Sequence, residues 1–513
     1  MGQARRLNPT NGRAGAPARL PAWVRWGAFF LLALAGLALR LPQLGARPMH
    51  TDEAVNAYIV GQLLAGKSFA FDPQDRHGPA LAALTLPIVR MQGANTFADL
   101  TEPELRLTSA LAGTITILLF SPAVEIFGFL PCLIAALLFV GAPLPVYYDR
   151  YFIHESLFVA ATFGLILAGA RACKSPSLIH AALAAACAAV MLAAKETALL
   201  HFFALAAASL VFWIWNLSGK SLAGLWRPKS ALVVAAVFLL LSLMLFTWFG
   251  TNWRALTVLP HVVPSFLARA AGEGHQKPFW YFAQLLAGGW SGKLILALAV
   301  IGFAQTVRKR RPSPFAFLAF YALFLAVLYS AIPYKTPWLA LNLWLPVALF
   351  AGLGLASFWR IPASPLFLRI AMRAVSILLA VTAALFIAHD TSQRVFLHPA
   401  DETNPYAYAH TSEDLLNLPA MIETVARQNA IASPRIAVIA ADPWPLPWYL
   451  RHYSAVGFWQ PGQQPAPQPG DADFYITSAD ASSQTTAQFQ NLHPDFFGVR
   501  PGVLIVLWSP MPK

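Results

Sequence analysis

Charge is what this chain has least of. Asp, Glu, Lys and Arg make up 12% of its 513 residues, against about 25% in a soluble protein. Hydrophobic residues make up 57%, and mean hydropathy is +0.55. That balance excludes an ordinary soluble enzyme. Cysteine is scarce as well. Cys132, Cys173 and Cys187 are the whole set, and each lies in or beside an apolar run. The last third therefore has no disulfide framework, and the spacing matches no metal knuckle. Acidic residues are few, 23 against 36 Lys and Arg, for a formal charge of +13. In a soluble chain that excess would suggest nucleic acid. Here the basic residues sit in short clusters between apolar runs, which is the pattern of orientation charge, so no nucleic-acid partner is expected. A small-residue cleavage site is also lacking after the first apolar run, which reads as a retained span and not a removed signal.

What is present is a series of eleven apolar runs, at about 24–39, 106–123, 127–145, 156–170, 178–193, 197–216, 231–249, 285–305, 313–330, 339–357 and 370–388. Each is near the length that crosses hydrocarbon. The reading is an α-helical polytopic membrane protein. Residues 1–23 form a disordered cytoplasmic N-terminus, 24–388 a transmembrane domain with a long first outer loop at 40–105, and 389–513 a soluble extracytoplasmic α/β domain. Basic residues support this orientation in a cytoplasmic (inner) membrane. Arg5, Arg6, Arg13, Arg19 and Arg25, then Arg171 and Lys174, then Lys220, Arg227 and Lys229, then the run Arg308–Arg311, and finally Arg360 and Arg369 all fall on one side, and positive residues collect inside. An odd number of spans puts the tail outside.

Two places strain this scheme. The turn near SPAVEIFG has no basic residue. Lys293 falls within the eighth run, where a charge deep in lipid is costly, so 279–288 is expected on the membrane surface with the span starting near 290. In the first outer loop, DEAVNAYIVGQLLAG and HGPALAALTLPIVRMQG read as helices along the interface. Treating the second as a twelfth span would reverse every later loop.

With the apolar filler set aside, the outer face carries a distinct polar set. Asp52 and Glu53 follow the first span, Arg76 and His77 stand in DRHGPA, and Arg106 opens the second span. Asp149, Arg150, His154 and Glu155 stand in YYDRYFIHE, Lys195 and Glu196 in KET, and Tyr334, Lys335 and Trp338 in YKTPW. Basic side chains at a membrane border can be snorkelling anchors, but carboxylates do not snorkel easily, and here the two alternate. Carboxylates and cations in one cleft fit a site for a phosphate-bearing lipid and a polar substrate. A carboxylate such as Asp52 suits a general base on an acceptor hydroxyl, and Arg or Lys suits a phosphate leaving group. The plainer alternatives are an N-cap and first-turn role for Asp52 and Glu53, a turn role for His77, anchoring for Arg106, and ion pairs for Arg150 with Glu155 and for Lys195 with Glu196. The one cofactor left open is a divalent metal. His261 and His275, with Glu273, are of types that bind a divalent metal but lack ligand-pair spacing.

In the tail, RIAVIA, DFYITSA and VLIVLW read as strands. WPLPWYLRHY is a Pro-broken aromatic segment that starts a helix. Its Trp444, Trp448 and Tyr449, with Trp459, are either core or the lining of a groove.

The runs HTDEAVNAYIVGQLLAG, DRHGPALAAL and ELRLTSALAG resemble the multi-spanning GT-C glycosyltransferases, in particular the protein O-mannosyltransferase and aminoarabinose lipid A transferase group. Within that superfamily, YKTPW, NPYAYAHTSEDL and WPLPWYLRHY are most similar to the flippase-activity-associated proteins of archaeal-type protein glycosylation. The resemblance implies a GT-C fold and an inverting transferase at the outer face. Its partners would be a polyprenyl-phosphate-linked sugar donor, membrane lipids, and an acceptor that is a protein, lipid or glycan. It makes Asp52 the base with Glu53 beside it, places a lipid-phosphate contact at the head of the HGP segment, and matches Glu155 and Arg150 to common acidic and basic positions. Relatives often carry Lys-Pro-Pro where this chain has His77-Gly78-Pro79, so a permanent cation is missing there and Arg76 or Lys335 is left to compensate. The alternatives are a non-catalytic assembly or flippase-associated component of a glycan pathway, and a lipid-linked sugar transporter. A transporter more often shows internal repeats, and none is visible.

Overall fold

A computed structural model describes residues 21–175, 177–215, 228–272, 275–359, 365–480 and 487–511. Most of the expected N-terminal segment lies outside the described residues, as do Lys220, Arg227, Glu273 and Arg360. The apolar runs fold as α1 (Ala22–Arg40), α4 (Glu102–Phe127), α5 (Phe129–Gly141), α6 (Glu155–Lys174), α7 (Leu178–Ala194), α8 (Ala198–Trp215), α9 (Pro228–Phe246), α11 (Gly289–Lys309), α12 (Pro314–Ala331), α13 (Ala340–Trp359) and α14 (Leu366–Thr391). The two interface stretches of the first outer loop are α2 (Thr51–Leu64) and α3 (Ala80–Met91), and a short helix α10 (Val262–Ala271) follows α9. Nine of the described helices are long and apolar enough to cross a membrane. The chain is a polytopic membrane protein. The two shorter members, α5 and α7, rise about 20 and 25 Å at 1.5 Å per residue, less than the roughly 30 Å of hydrocarbon. They complete the alternation that brings all the loops named below to one end.

α13 is the most enclosed helix, and it meets α11 through backbone contact. A Cβ on Gly302 would stand 2.1 Å from the Phe350 carbonyl oxygen, and one on Gly354 would stand 2.0 Å from that of Leu298. Without a hydrophobic force between helices in lipid, such small-residue contacts carry the packing. α11 begins at Gly289, so Lys293 is its fifth residue, just past the first turn, with Nζ 4.7 Å from the Trp290 ring centre, near the end of the helix and not at its middle. The turn lacking a basic residue carries Glu125, which takes bonds from Arg25 (2.9 Å) and Arg171 (2.8 Å). The cations for that corner come from the neighbouring helices.

The tail contributes α15 (Leu418–Gln428) and five strands: β1 (Arg435–Ile439), β2 (Ala455–Trp459), β3 (Phe474–Ser478), β4 (His493–Arg500) and β5 (Val503–Ser509). The order is β2-β1-β3-β5-β4, with β1 parallel to β2 and β3 and the β3–β5 and β5–β4 pairs antiparallel. β2 and β4, absent from the sequence reading, are the two edges. An edge strand tolerates Pro494 and Gly498 and needs less of the apolar pattern by which central strands are recognised. One apolar core runs through α2, α3, α15 and the sheet, joining Val60, Leu81 and Leu105 to Ile422, Val438 and Leu507. Trp448 and Tyr449 are buried in it, and the Trp448 indole donates to Glu102 at 2.8 Å. The sheet is therefore packed onto the first outer loop.

Candidate active site

At the sheet-bearing end of the bundle lies a cleft of about 330 Å³. Four separate loops, the start of α2 and the C-terminal half of α10 converge on it. α2 supplies Thr51, Asp52 and Asn56, and the loop before α3 supplies Arg76 and His77. The α7–α8 turn supplies Lys195, Glu196 and Thr197, and the α12–α13 turn supplies Tyr334, Thr336 and Trp338. α10 adds Phe266 and Arg269, and the tail adds Trp444.

Asp52 stands in the first turn of α2, and the cap is the residue two before it. His50 Nδ1 accepts from the Asp52 N–H at 3.0 Å, and His50 Nε2 donates to the Tyr408 carbonyl at 3.1 Å. Burial, the largest influence, pushes the His50 pKa down, against the pull of Asp52 and Glu53, so the ring is neutral with both nitrogens satisfied. Glu53 reaches back to the His50 N–H at 3.1 Å and closes a capping box. With the helix end satisfied, the Asp52 carboxylate makes no hydrogen bond or ion pair among the described residues. It is an acceptor left open to the cleft.

Glu196 organises the opposite wall. Its carboxylate accepts from His77 Nδ1 (2.9 Å) and from Arg269 (2.9 Å), and Arg269 also donates to the Pro73 carbonyl at 2.6 Å. Burial raises the Glu196 pKa, but His77, Arg269 and Lys195 outweigh it and hold the carboxyl well below its usual range. The ionised carboxylate can only accept, so His77 Nδ1 carries the proton and its Nε2 is left for another partner. Gly78 makes this placement fit. A Cβ there would lie 2.2 Å from the Ala193 carbonyl oxygen, so only glycine lets the HGP turn reach the end of α7. Lys195 is bonded to buried Glu155 behind the wall. Among the described residues Arg76 has only Asp75, at 4.0 Å, as an ion-pair partner. It is the most weakly held cation lining the cleft.

The structure thus gathers Asp52, Arg76, His77, Lys195, Glu196 and Tyr334 from the expected polar set. It places others in the scaffold. Glu53 is fully buried, with its oxygens 2.7 and 2.8 Å from the Arg106 guanidinium, and it also accepts from the Phe152 N–H. Burial raises its pKa, and Arg106 and Arg47 overcome that and hold it at about 2. Such a group makes a poor proton acceptor, so the pairing of Glu53 with Asp52 as catalytic residues is corrected: Glu53 is structural. Arg106 is equally enclosed, spending its other donors on the Leu44, Arg47 and Pro48 carbonyls, and is neither an interface anchor nor a phosphate contact. Asp149 pairs with Arg40 at 2.6 Å. Arg150 donates to the carbonyls of Arg40 and Pro42, both at 2.6 Å, and of Gln43, closing the C-terminal end of α1 where carbonyls lack partners. Arg150 and Glu155 therefore do not pair with each other. His154 is buried with its ring 5.0 Å from that of His77, behind the lining. Lys335 turns Nζ to the Lys277 and Ile332 carbonyls at 3.1 and 2.6 Å, tying two loops together, and is not among the residues that line the cleft. Arg269, which the sequence reading did not single out, does lie there. No motif marks it, because its partners are far away in sequence. Asn56 was within reach of the reading, since it follows Asp52 by four positions and shares its helix face.

Among the described residues no three His, Cys, Asp or Glu side chains gather as metal ligands. His275 is hydrogen-bonded to the Tyr408 hydroxyl.

No family model and no curated protein matches the chain. Solved structures do. The chain is similar to ArnT from Cupriavidus metallidurans bound to undecaprenyl phosphate, at 16% identity and a TM-score of 0.62, over 95% of this chain and 98% of that one. It is also similar to the archaeal oligosaccharyltransferase AglB from Archaeoglobus fulgidus in complex with an inhibitory peptide and a dolichol-phosphate. There the identity is 12% and the TM-score 0.55, over 93% of this chain and 74% of that one. The fold is the GT-C fold.

Proposed function

We propose that the chain is an inverting glycosyltransferase that moves a sugar from a polyprenyl-phosphate-linked donor to an acceptor hydroxyl at the outer face of the membrane. The observation that carries this reading is the Asp52 carboxylate, open to a cleft whose other charges, Asp75 and Arg76 apart, are closely paired. The likeness in fold to proteins solved with undecaprenyl phosphate and dolichol-phosphate supports the donor class.

In the proposed reaction the acceptor oxygen attacks the anomeric carbon from the face opposite the phosphate, so a single displacement inverts the configuration. The bond from carbon to phosphate oxygen breaks and polyprenyl phosphate leaves. Asp52 accepts the hydroxyl proton as the new bond forms. Arg76 faces the developing phosphate charge, with His77 Nε2 and Lys195 beside it. Glu196 and Glu155 hold His77 and Lys195 in place and are not themselves reactive. The acceptor stays open among protein, lipid and glycan.

Purified protein in vesicles with a radiolabelled polyprenyl-phosphate sugar is expected to release polyprenyl phosphate and label an acceptor. Labelling from a water-soluble nucleotide sugar, with none from the lipid donor, would contradict the reading. For the outer-face assignment, a reporter fused after Lys513 is expected to be active only outside the cytoplasm, and one fused at Arg310 only inside. Cytoplasmic activity at Lys513 would reverse the orientation.

A further inference from the structure

The three residues leading into the candidate base, Met49, His50 and Thr51, are bonded from outside the bundle. The Met49 N–H donates to the Tyr449 hydroxyl at 2.9 Å, and the Met49 carbonyl accepts from Thr411 Oγ1 at 2.7 Å. His50 Nε2 donates to the Tyr408 carbonyl at 3.1 Å, and Arg500 reaches Thr51 Oγ1 at 3.5 Å. All four partners come from the tail, about 360 to 450 positions further along the chain. The His50 N–H is taken by Glu53, which Arg106 fixes, and the His50 carbonyl by the Ala54 N–H. Both backbone groups of Met49 are thus tied to the tail, and the His50 ring that caps α2 is tied to it as well.

We infer that the tail is a clamp on the catalytic turn, and that Tyr449 and Thr411 are positioning residues for Asp52. This inference rests on the reading of Asp52 as the base. Its physical content is that the Asp52 carboxylate has no hydrogen bond among the described residues, so its aim is set by the backbone that carries it. That backbone is the first turn of α2 and the loop that enters it from α1, and loop backbone is mobile unless it is bonded. The tail supplies the bonds. A base displaced by about 1 Å loses on the order of 100-fold in rate. Substrate affinity, set by the opposite wall, is untouched.

The experiment compares Tyr449→Phe, Thr411→Val and Thr411→Ser with the wild type in the transfer assay, together with hydrogen exchange of the peptide spanning residues 47–58. The expected result for Tyr449→Phe and Thr411→Val is a fall in kcat of about 10- to 100-fold with KM for the lipid donor unchanged. Exchange should rise only in that peptide, and Thr411→Ser, which keeps the hydroxyl, should restore both. A normal kcat in Tyr449→Phe and Thr411→Val overturns the inference. So does a rise in exchange spread over the spans, which would mark a general loss of packing. If the wild type itself transfers no sugar, the proposed function fails. The exchange data then decide the clamp alone: a local rise reversed by Thr411→Ser supports it, and unchanged exchange overturns it.

Discussion

Asp52→Asn is expected to abolish sugar transfer while leaving the melting temperature unchanged. Asparagine keeps the size and polarity of the side chain but cannot take a proton as a carboxylate does. Loss of a positioned base costs about 10²–10⁴-fold in rate, or roughly 3–5 kcal/mol in barrier. The structural alternative for Asp52 was the helix cap, and that role belongs to His50. No bond of the fold runs through the Asp52 side chain among the described residues, so nothing structural is lost with it. Rescue by the neighbouring carboxylate is not expected. Glu53 points about 100° around the helix from Asp52, into full burial against Arg106. Transfer from a radiolabelled polyprenyl-phosphate sugar, beside a thermal melt, measures both quantities. Near-normal transfer with a normal melt would remove Asp52 as the base and require another proton acceptor.

Arg106→Met is expected to have the opposite signature, a fold-level loss. It leaves the Glu53 carboxylate buried without its partner and strips the Leu44, Arg47 and Pro48 carbonyls of their donor. Breaking one side of a buried pair costs about 3–5 kcal/mol, a large part of a typical stability of about 5–15 kcal/mol. The protein should accumulate poorly, and what is recovered should melt early. The same pair gives the wild type an acid limit. The Glu53 carboxyl is held at about 2 in the fold, from an ordinary value of 4.5. A depressed carboxyl contributes stability that is complete above the unfolded value and is lost as pH falls toward the folded one. Wild-type melting temperature should therefore fall between about pH 4.5 and 2, and the Arg106→Met protein should lack this component. An Arg106→Met melt equal to the wild type at neutral pH would show that the pair does not hold the loop.

Position was more legible in the sequence than direction. Apolar length located the membrane helices to within a few residues, as with the run read at 231–249 that folds as Pro228–Phe246, because lipid selects for length and composition alone. The polar residues at one membrane border were also visible as a set. Which of them turn into the cleft was not. Asp52 and Glu53 are adjacent, and Tyr334 and Lys335 are adjacent, yet the first of each pair lines the cleft and the second is enclosed. The deciding partners, Arg106 for Glu53 and the Lys277 and Ile332 carbonyls for Lys335, are set by tertiary packing. His50 as the cap was not legible, because Asp is a common N-cap and His is not. Arg269 carried no local signal at all, since its meaning comes from Glu196, 73 residues earlier. The tail's ties to Met49 and His50 are longer still, and a hydroxyl such as that of Thr411 has no pattern that announces its partner.

The most direct test of the central assignment is a structure of the protein with a polyprenyl phosphate bound. The expected result is a phosphate in the cleft within hydrogen-bond distance of Arg76, with the Asp52 carboxylate facing it across a gap wide enough for an acceptor hydroxyl. A phosphate seated away from Arg76, or an Asp52 side chain turned out of the cleft when the lipid is present, would contradict the assignment of Asp52 as the base.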